Sequence, residues 1–276
     1  VPLALLADKA TDVISFTHRG FGGHLVWSGH LCDHLNQYFA NAASPTNARE
    51  GNIHHGDPAD RSLPMISHLG AMVSNVAGAT DSQRRLGRPA VGFAFFGDGG
   101  SSTGDVHETL NLASLLSLPI LFVIENNQYA MGTSMKRSTK STTLYGRGAA
   151  YGIAGEEVDG MSVLAVKEAG ERAVAHCRAG KGPYILEVKT YRYRGHSMSD
   201  PAKYRTREEV QKMKEERDPI EQIRSILLTG SHASEDDLKA IDKEIKDIVN
   251  ESAEFAKTSP EPDLSELWTD IYAEAN

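Results

Sequence analysis

Two continuous apolar segments constrain the fold of this chain more than any other feature. Residues 90–96 read AVGFAFF and residues 119–125 read PILFVIE, with an amphipathic helix predicted over 103–117 between them. Apolar runs of this length are typical of strands that are buried on both faces of a sheet. A further helix over 161–178 and a strand over 184–191 continue the alternation. The order predicts an α/β fold: a doubly wound, mostly parallel sheet flanked by helices and joined by right-handed crossovers.

The rest of the chain is less regular. Glycines at positions 20, 22 and 23 predict a loop. We expect helices over 29–43 and 69–79, separated by an irregular loop over 44–63 that is rich in Pro, Asn, Asp, Gly and His. After residue 204 the composition becomes highly charged. We therefore divide the chain into an α/β domain, 1–204, and a helical C-terminal extension, 205–276, which packs on the same domain or on a partner subunit.

Composition excludes several classes of protein. The 276 residues carry a net charge of −8, which disfavours a nucleic-acid-binding role, since such proteins need a basic surface. No apolar run approaches the length of a membrane span. The two cysteines, Cys32 and Cys177, form no disulfide framework and favour a reducing compartment. The first residues lack a basic n-region, so we expect no signal peptide, and the start is compatible with a chain that begins partway into a longer subunit.

The ends of the two apolar strands carry the main functional motif. Gly97-Asp98-Gly99-Gly100 follows the first strand, and Glu125-Asn126-Asn127 ends the second. Carboxyl ends of neighbouring parallel strands meet at one edge of the sheet, so Asp98 and Asn127 are expected to converge. A carboxylate, an amide oxygen and a backbone carbonyl suit Mg²⁺ that shares phosphate oxygens, and the helix that follows favours an anion. The motif therefore predicts a magnesium-held diphosphate site.

Three other interpretations fit the motif less well. The simplest alternative is a glycine-rich turn without a function. The asparagine pair at the end of the very next strand argues against it, because the two motifs would then meet by chance. A Walker loop is excluded because no Gly-Lys-Ser/Thr follows. A dinucleotide fingerprint is excluded because the later helix glycine is not at the required spacing.

The surrounding sequence resembles a known family. Gly97-Asp98-Gly99 followed by Asn127 is similar to the thiamine-diphosphate motif of transketolase-like enzymes. Three longer segments resemble the alpha subunit of the decarboxylating component of 2-oxo acid dehydrogenase complexes, most closely the pyruvate dehydrogenase branch. They are GDGGSSTGDVHETLNLASLLSLPILFVIENNQYAMGTS, EVDGMSVLAVKEA and CRAGKGPYILEVKTYRYRGHSMSDPAKYRTREEVQKMKEERDPIEQI. The resemblance is strong over 97–223 and weaker over 12–92.

The resemblance implies roles for the residues that match the family's motif. Asp98, Asn127 and the backbone carbonyl of Tyr129 match the Mg²⁺ ligands, and Gly99 and Gly100 face the diphosphate. The family usually has alanine at position 100, a departure that adds backbone freedom.

Arg19 matches a diphosphate-binding arginine, as a guanidinium suits phosphate oxygens; the alternative is a solvated loop arginine. His18 replaces the family's tyrosine, which puts its cofactor contact in doubt. Ser67 and Leu69 match backbone contacts to the aminopyrimidine ring, or are helix-entry and core residues, and for Leu69 both can hold.

Two histidines match catalytic positions. His196 matches a loop histidine near the diphosphate, where an imidazole can donate to phosphate and shuttle protons, and Ser197 matches a position phosphorylated in mitochondrial relatives. His54 matches an active-site histidine; the alternative is an exposed pair with His55. A zinc site of His54, His55 and Asp57 is a weaker interpretation, since no second ligand cluster has suitable spacing.

Three further residues look structural. Glu108 and Asn111 share one face of the helix after the motif and are expected to brace the motif or a subunit interface. Cys177 is expected in the core rather than as a nucleophile.

The resemblance also implies the reaction and its partners. The family oxidatively decarboxylates a 2-oxo acid, here pyruvate, and transfers the acyl unit to a lipoyl group on the acyltransferase of the complex. The glutamate that activates thiamine diphosphate belongs to the beta subunit, so we expect an α2β2 heterotetramer, in the bacterial cytoplasm or, in a eukaryote, the mitochondrial matrix. Branched-chain 2-oxo acid or acetoin dehydrogenase, and a non-catalytic cofactor-binding subunit, are the alternatives.

Overall fold

The computed structural model describes residues 1–51 and 54–272. The strands are β1 (Val13–Ser15), β2 (Ser62–Leu63), β3 (Gly92–Gly97), β4 (Ile120–Asn126), β5 (Tyr129–Ala130), β6 (Thr133–Ser134), β7 (Ala154–Asp159) and β8 (Tyr184–Lys189). The helices are α1 (Pro2–Leu6), α2 (Phe21–Ser28), α3 (Leu31–Phe39), α4 (Ala71–Arg85), α5 (Gly104–Leu115), α6 (Met135–Ser138), α7 (Val163–Arg178), α8 (Arg207–Arg217), α9 (Pro219–Thr229) and α10 (Glu235–Thr258). Short 3-10 helices span His18–Gly20, Gly100–Ser102, Tyr145–Tyr151 and Leu264–Leu267.

Six strands form one parallel sheet in the order β2-β1-β3-β4-β8-β7, while β5 and β6 form a separate antiparallel hairpin. In the central pair, Gly97 of β3 lies beside Glu125 of β4, so the two strands end together. The predicted α/β class and the direct crossover between these strands are confirmed.

Side chains that alternate along β3 separate the core into two layers. Phe93 and Phe95 pack in one cluster with buried side chains of α1, α2 and α7. Ala94 and Phe96 pack in the other with buried side chains of α4 and α5. Successive side chains of a strand point to opposite faces, so a strand that is apolar at every position needs helices on both sides. The sheet is therefore doubly wound.

The region near the start of the chain differs from expectation. The loop predicted from the glycines is wrong, because α2 begins at Phe21 and includes two of them. A Cβ on Gly23 would lie 2.7 Å from the Phe16 ring, so this glycine permits close packing rather than a turn. The strands β1 and β7 were not predicted, and the loop expected up to residue 63 ends in β2.

The C-terminal segment forms three helices, and α10 packs on α3. Cys32 Sγ and Ser252 Oγ are 3.3 Å apart, and Asn41 donates to the Ala256 carbonyl at 3.1 Å. The boundary between 1–204 and 205–276 stays a prediction, and residues 273–276 lie outside the described part. Within residues 1–51 and 54–272, every helix is too short or too polar to cross a lipid bilayer.

Candidate functional site

A cavity of about 360 Å³ lies at the carboxyl edge of the sheet. Its walls come from the segments that follow β1, β3, β4 and β8, with one residue from the entry to α4. The lining residues are Thr17, His18, Arg19, Leu69, Gly97, Glu125, Asn127, Thr190, Tyr191 and Arg192. Ligands of open parallel sheets bind at this edge, so the cavity lies where the strand-end motif predicts a site.

Asp98 follows β3 and is only 4% exposed. Its Oδ2 has no hydrogen-bond partner among the described residues. Burial raises the pKa of this carboxyl group, while the guanidinium groups of Arg192 and Arg19 act in the opposite direction. A buried carboxylate oxygen without a partner is costly unless a ligand completes it, so Asp98 fits a cation-binding role.

The asparagine pair after β4 divides into two positions with different contacts. Asn126 is buried, donates to Glu187 Oε1 at 2.6 Å and accepts from the backbone N–H of Gln128 at 3.1 Å. These bonds hold the turn, in which Gln128 adopts a φ of 71°. Asn127 lines the cavity, and its Oδ1 accepts from the Tyr129 N–H at 3.3 Å. Asn126 therefore positions Asn127.

The turn after Asp98 is held from both sides. Ser101 donates to the Asp98 carbonyl at 2.6 Å, and Arg147 donates to the carbonyl and hydroxyl oxygens of Ser101. A Cβ on Gly99 would lie 2.6 Å from the Ala130 Cβ, so only glycine fits against the hairpin there. A Cβ on Gly100 would meet its nearest atom at 3.6 Å, which is ordinary contact. The family's alanine would therefore fit at position 100.

Arg19 and His196 lie together, although 177 positions separate them. The Arg19 Nη2 is 2.9 Å from the His196 carbonyl oxygen and 3.1 Å from its Nδ1. Burial, and then the charge of Arg19, lower the pKa of His196. The His196 N–H donates to Asp200 at 2.6 Å, which fixes the loop. Arg19 is thus exposed but tied to the loop that carries the candidate catalytic histidine.

The structure adds two residues that sequence analysis missed. Arg192 is buried and donates to the Tyr204 hydroxyl at 2.6 Å, the Met131 carbonyl at 2.7 Å and the Tyr129 carbonyl at 3.4 Å. The carbonyl expected to bind Mg²⁺ therefore already has a weak donor. Glu125 accepts from Thr17 at 2.5 Å, and burial raises the pKa of its carboxyl group. Both residues stand at the carboxyl ends of buried strands, which was the available signal.

Of the other candidate residues, His18 and Leu69 line this cavity, and His54 and Ser67 lie next to His18. The His18 and His54 rings lie 5.5 Å apart, and His54 Nε2 is 3.1 Å from Ser67 Oγ. Leu69 is 54% exposed, so the expectation that it is also a core residue is wrong, although it does line the cavity. Ser67 is exposed and stands shortly before α4.

The structure also changes the interpretation of the neighbouring histidine. An exposed His54–His55 pair is wrong, because His55 is buried against His24 and His34 rather than beside Asp57 and His54 in a metal-binding set. Asn52 and Ile53 of the predicted loop lie outside the described residues. Cys177 is buried, as expected, and burial raises the pKa of its thiol to about 12. Glu108 and Asn111 are both exposed.

Comparison with known proteins gives a consistent result. The model of the dehydrogenase E1 component family matches residues 3–265. A pyruvate dehydrogenase E1 component subunit alpha of Rhizobium meliloti is 56% identical over 203 residues, which cover 74% of this chain and 58% of the relative. The protein of the same name from Rickettsia prowazekii is 42% identical over 271 residues, 98% of this chain and 82% of the relative. A relative from Dictyostelium discoideum, named as mitochondrial, is 48% identical over 205 residues, 74% of this chain and 54% of that protein.

Proposed function

This chain belongs to the dehydrogenase E1 component family, and on that premise we propose that it is the alpha subunit of a thiamine-diphosphate-dependent pyruvate dehydrogenase. The alignment spans 58% of the Rhizobium relative, so the activity of the whole relative is part of the proposal. The reaction would be the oxidative decarboxylation of pyruvate with transfer of the acetyl unit to a lipoyl group.

The observation that carries this proposal is the buried Asp98 Oδ2, for which residues 1–51 and 54–272 supply no hydrogen-bond partner. With the Asn127 amide oxygen, it would hold Mg²⁺, and the Tyr129 carbonyl would share its lone pairs between the metal ion and Arg192. Hard oxygen ligands that leave positions for phosphate oxygens suit magnesium.

The charge around the cavity suits a diphosphate. Arg19 and Arg192 both line the cavity and present guanidinium groups, whose planar donors match phosphate oxygens. Gly99 and Gly100 would present their backbone to the diphosphate, an assignment that rests on the family motif, because the missing Cβ of Gly99 itself serves packing against Ala130. The exposed Leu69, with Ser67 and His18 beside it, would contact the ring end of the cofactor.

Two histidines would serve the reaction. Bound thiamine diphosphate supplies the electron sink for loss of carbon dioxide from a 2-oxo acid. His196 has a lowered pKa and is therefore neutral near neutral pH, so that it can accept or donate a proton beside Arg19. His54, held by Ser67, would face the entrance from the other side.

The proposal includes partners and a compartment. The cofactor-activating glutamate would come from a beta subunit in an α2β2 heterotetramer, and the acyl acceptor from the lipoyl-bearing acyltransferase. Similar proteins come from bacteria and, in one case, from a mitochondrion, which supports the bacterial cytoplasm or the mitochondrial matrix as the location.

Calorimetric titration of thiamine diphosphate tests the cofactor site. We expect binding with Mg²⁺ and none with a chelator, and binding weakened roughly 100-fold or more in Asp98→Asn, because a metal ligand is lost. Asp105→Asn, an exposed aspartate on α5, is the matched control and should bind as the unchanged chain does. Binding that ignores Mg²⁺, or its absence even with the beta subunit present, would overturn the cofactor assignment.

A 2-oxo acid panel then tests the substrate. The chain reconstituted with its beta subunit is assayed with an artificial electron acceptor, and pyruvate should be preferred. Preference for a branched-chain 2-oxo acid would refute pyruvate as substrate, and turnover of none would favour a non-catalytic subunit.

A further inference from the structure

Three histidines that play no part in the proposed reaction meet in the interior. His24 comes from α2, His34 from α3 and His55 from the loop before β2. Their exposed fractions are 7%, 1% and 7%. A cavity of about 390 Å³ reaches all three. Histidine is intermediate among residue types in how often it is buried, but three buried histidines that converge from separate elements need a physical reason.

The geometry points to a metal site, and we propose that His24, His34 and His55 together bind Zn²⁺. One nitrogen from each ring lies within 4.8 Å of the others, and His34 Nδ1 is 3.1 Å from His55 Nε2. Two imidazole nitrogens on one tetrahedral zinc ion lie roughly 3.4 Å apart, given the usual zinc–nitrogen bond length. The observed spacing therefore needs only a small adjustment.

A hydrogen bond outside the cluster supports this arrangement. The second ring nitrogen of His34, Nε2, lies 3.1 Å from Ser28 Oγ. A metal-bound imidazole usually gives its other N–H to an oxygen acceptor, which fixes the tautomer and the ring orientation. With Ser28 as that acceptor, His34 Nδ1 keeps its lone pair and points it toward His55.

Zn²⁺ fits this donor set better than Mg²⁺. Three imidazole nitrogens suit zinc and related transition metals, whereas magnesium prefers oxygen. Asp33, Asp57 and Asp60 line the same cavity, but no carboxylate among the described residues joins the three-histidine group, so a water molecule would complete the fourth position. Because His55 adjoins His54, the metal ion would also join α2 and α3 to the loop that carries the candidate active-site histidine.

The competing interpretation is a metal-free cluster held by ring contacts. Phe16 stacks on His24 at 5.7 Å and Phe21 packs edge-on against His34 at 5.1 Å. In that case one ring would donate and the next would accept across the 3.1 Å contact. The two interpretations differ in whether the purified chain retains a metal ion.

Metal analysis of the full chain separates them. After equilibration with Zn²⁺ and removal of the excess, we expect one tightly held zinc ion per chain and an X-ray absorption spectrum with imidazole nitrogens around it. His34→Gln should bind zinc at least roughly 100-fold more weakly. Two variants should keep it: His232→Gln, which changes an exposed histidine, and Asp98→Asn, which changes the proposed magnesium site.

Two results would overturn the proposal. One is a chain that retains no zinc, and the other is a zinc spectrum without imidazole ligands. Circular dichroism checks the fold of His34→Gln, and if that variant does not fold, the spectrum of the unchanged chain decides alone. Because Asp98→Asn keeps this site, a failure here leaves the thiamine diphosphate proposal untouched.

Discussion

Two buried aspartates stand at opposite edges of the sheet and have opposite surroundings. Asp12, just before β1, accepts from the backbone N–H groups of Val91 and Asp8, both at 2.8 Å, and from two nitrogens of Arg178 at 3.1 and 2.5 Å. Asp98, just after β3, has an Oδ2 with no partner among the described residues.

The two aspartates differ in whether their carboxylate oxygens receive hydrogen bonds, and this difference determines their effect on stability. A buried carboxylate stabilises a fold only when its oxygens are satisfied, and Asp12 meets this condition by joining α7 to β1 and to the segment before β3. Asp98 has one oxygen that receives no hydrogen bond within the described part of the chain, so the same residue type lowers stability while that contact is missing. The aspartate at the amino edge therefore stabilises the fold through its own partners, whereas the one at the carboxyl edge has an oxygen available for the proposed ligand.

The largest effect is expected from Asp12→Ala. Removing this carboxylate leaves the buried Val91 N–H without its acceptor, and takes from Asp8 a backbone hydrogen bond and from Arg178 its ion-pair partner. Breaking a buried ion pair costs 3–5 kcal/mol, and since the Arg178 side chain is 35% exposed we expect about 3 kcal/mol. Urea denaturation measures the loss, with Asp105→Asn as the control. A decrease in the free energy of unfolding below about 1 kcal/mol would show that the contacts of Asp12 at the amino edge contribute little to stability.

A smaller change, of opposite sign, is expected from Asp98→Asn in the absence of metal and cofactor. The neutral amide removes a charge from a buried side chain whose Oδ2 receives no hydrogen bond from the described residues, so the free energy of unfolding should rise by about 1 kcal/mol. Thermal denaturation in a chelating buffer measures it. A clear destabilisation would mean that Asp98 is structural like Asp12, and the contrast between the two edges would fail.

The fold could be predicted where burial alone determines the sequence. β3, β4 and β8 are long and apolar, and each was recognised to within two residues at either end. β1 is only three residues long, and β7 reads AGEEVD, so neither has a pattern that distinguishes it from a loop. Their places in the sheet depend on tertiary pairing, which a local pattern does not contain.

The site could be predicted where it follows strand ends. Asp98 and Asn127 could be placed at the same edge of the sheet because adjacent parallel strands end together, and their role in binding stays a prediction. Arg192 stands just beyond β8 and was missed, since its buried contacts to the Tyr204 hydroxyl and the Met131 carbonyl form only when the hairpin and the loop fold over the sheet. The three clustered histidines lie 10 and 21 positions apart in the chain, a spacing that corresponds to no single helix or turn.

The smallest effect on stability is expected at Asp200. Like Asp12, this residue accepts hydrogen bonds at both carboxylate oxygens, but it is only partly buried. Hydrogen bonds from the His196 N–H, the Tyr204 hydroxyl and the Ala202 N–H lower the pKa of Asp200 to about 2. In the unfolded chain the pKa is about 3.9, so the ionised carboxylate stabilises the fold above that pH. The stabilisation is lost as the pH falls through the folded-state pKa.

The stability advantage of the unchanged chain over Asp200→Asn, measured by urea denaturation, should therefore be small near neutral pH and shrink on acidification. If this difference in the free energy of unfolding stays constant with pH, the shape of the Asp200 side chain rather than its charge fixes the His196 loop. The hydrogen bonds of a partly buried carboxylate would then contribute no electrostatic stabilisation.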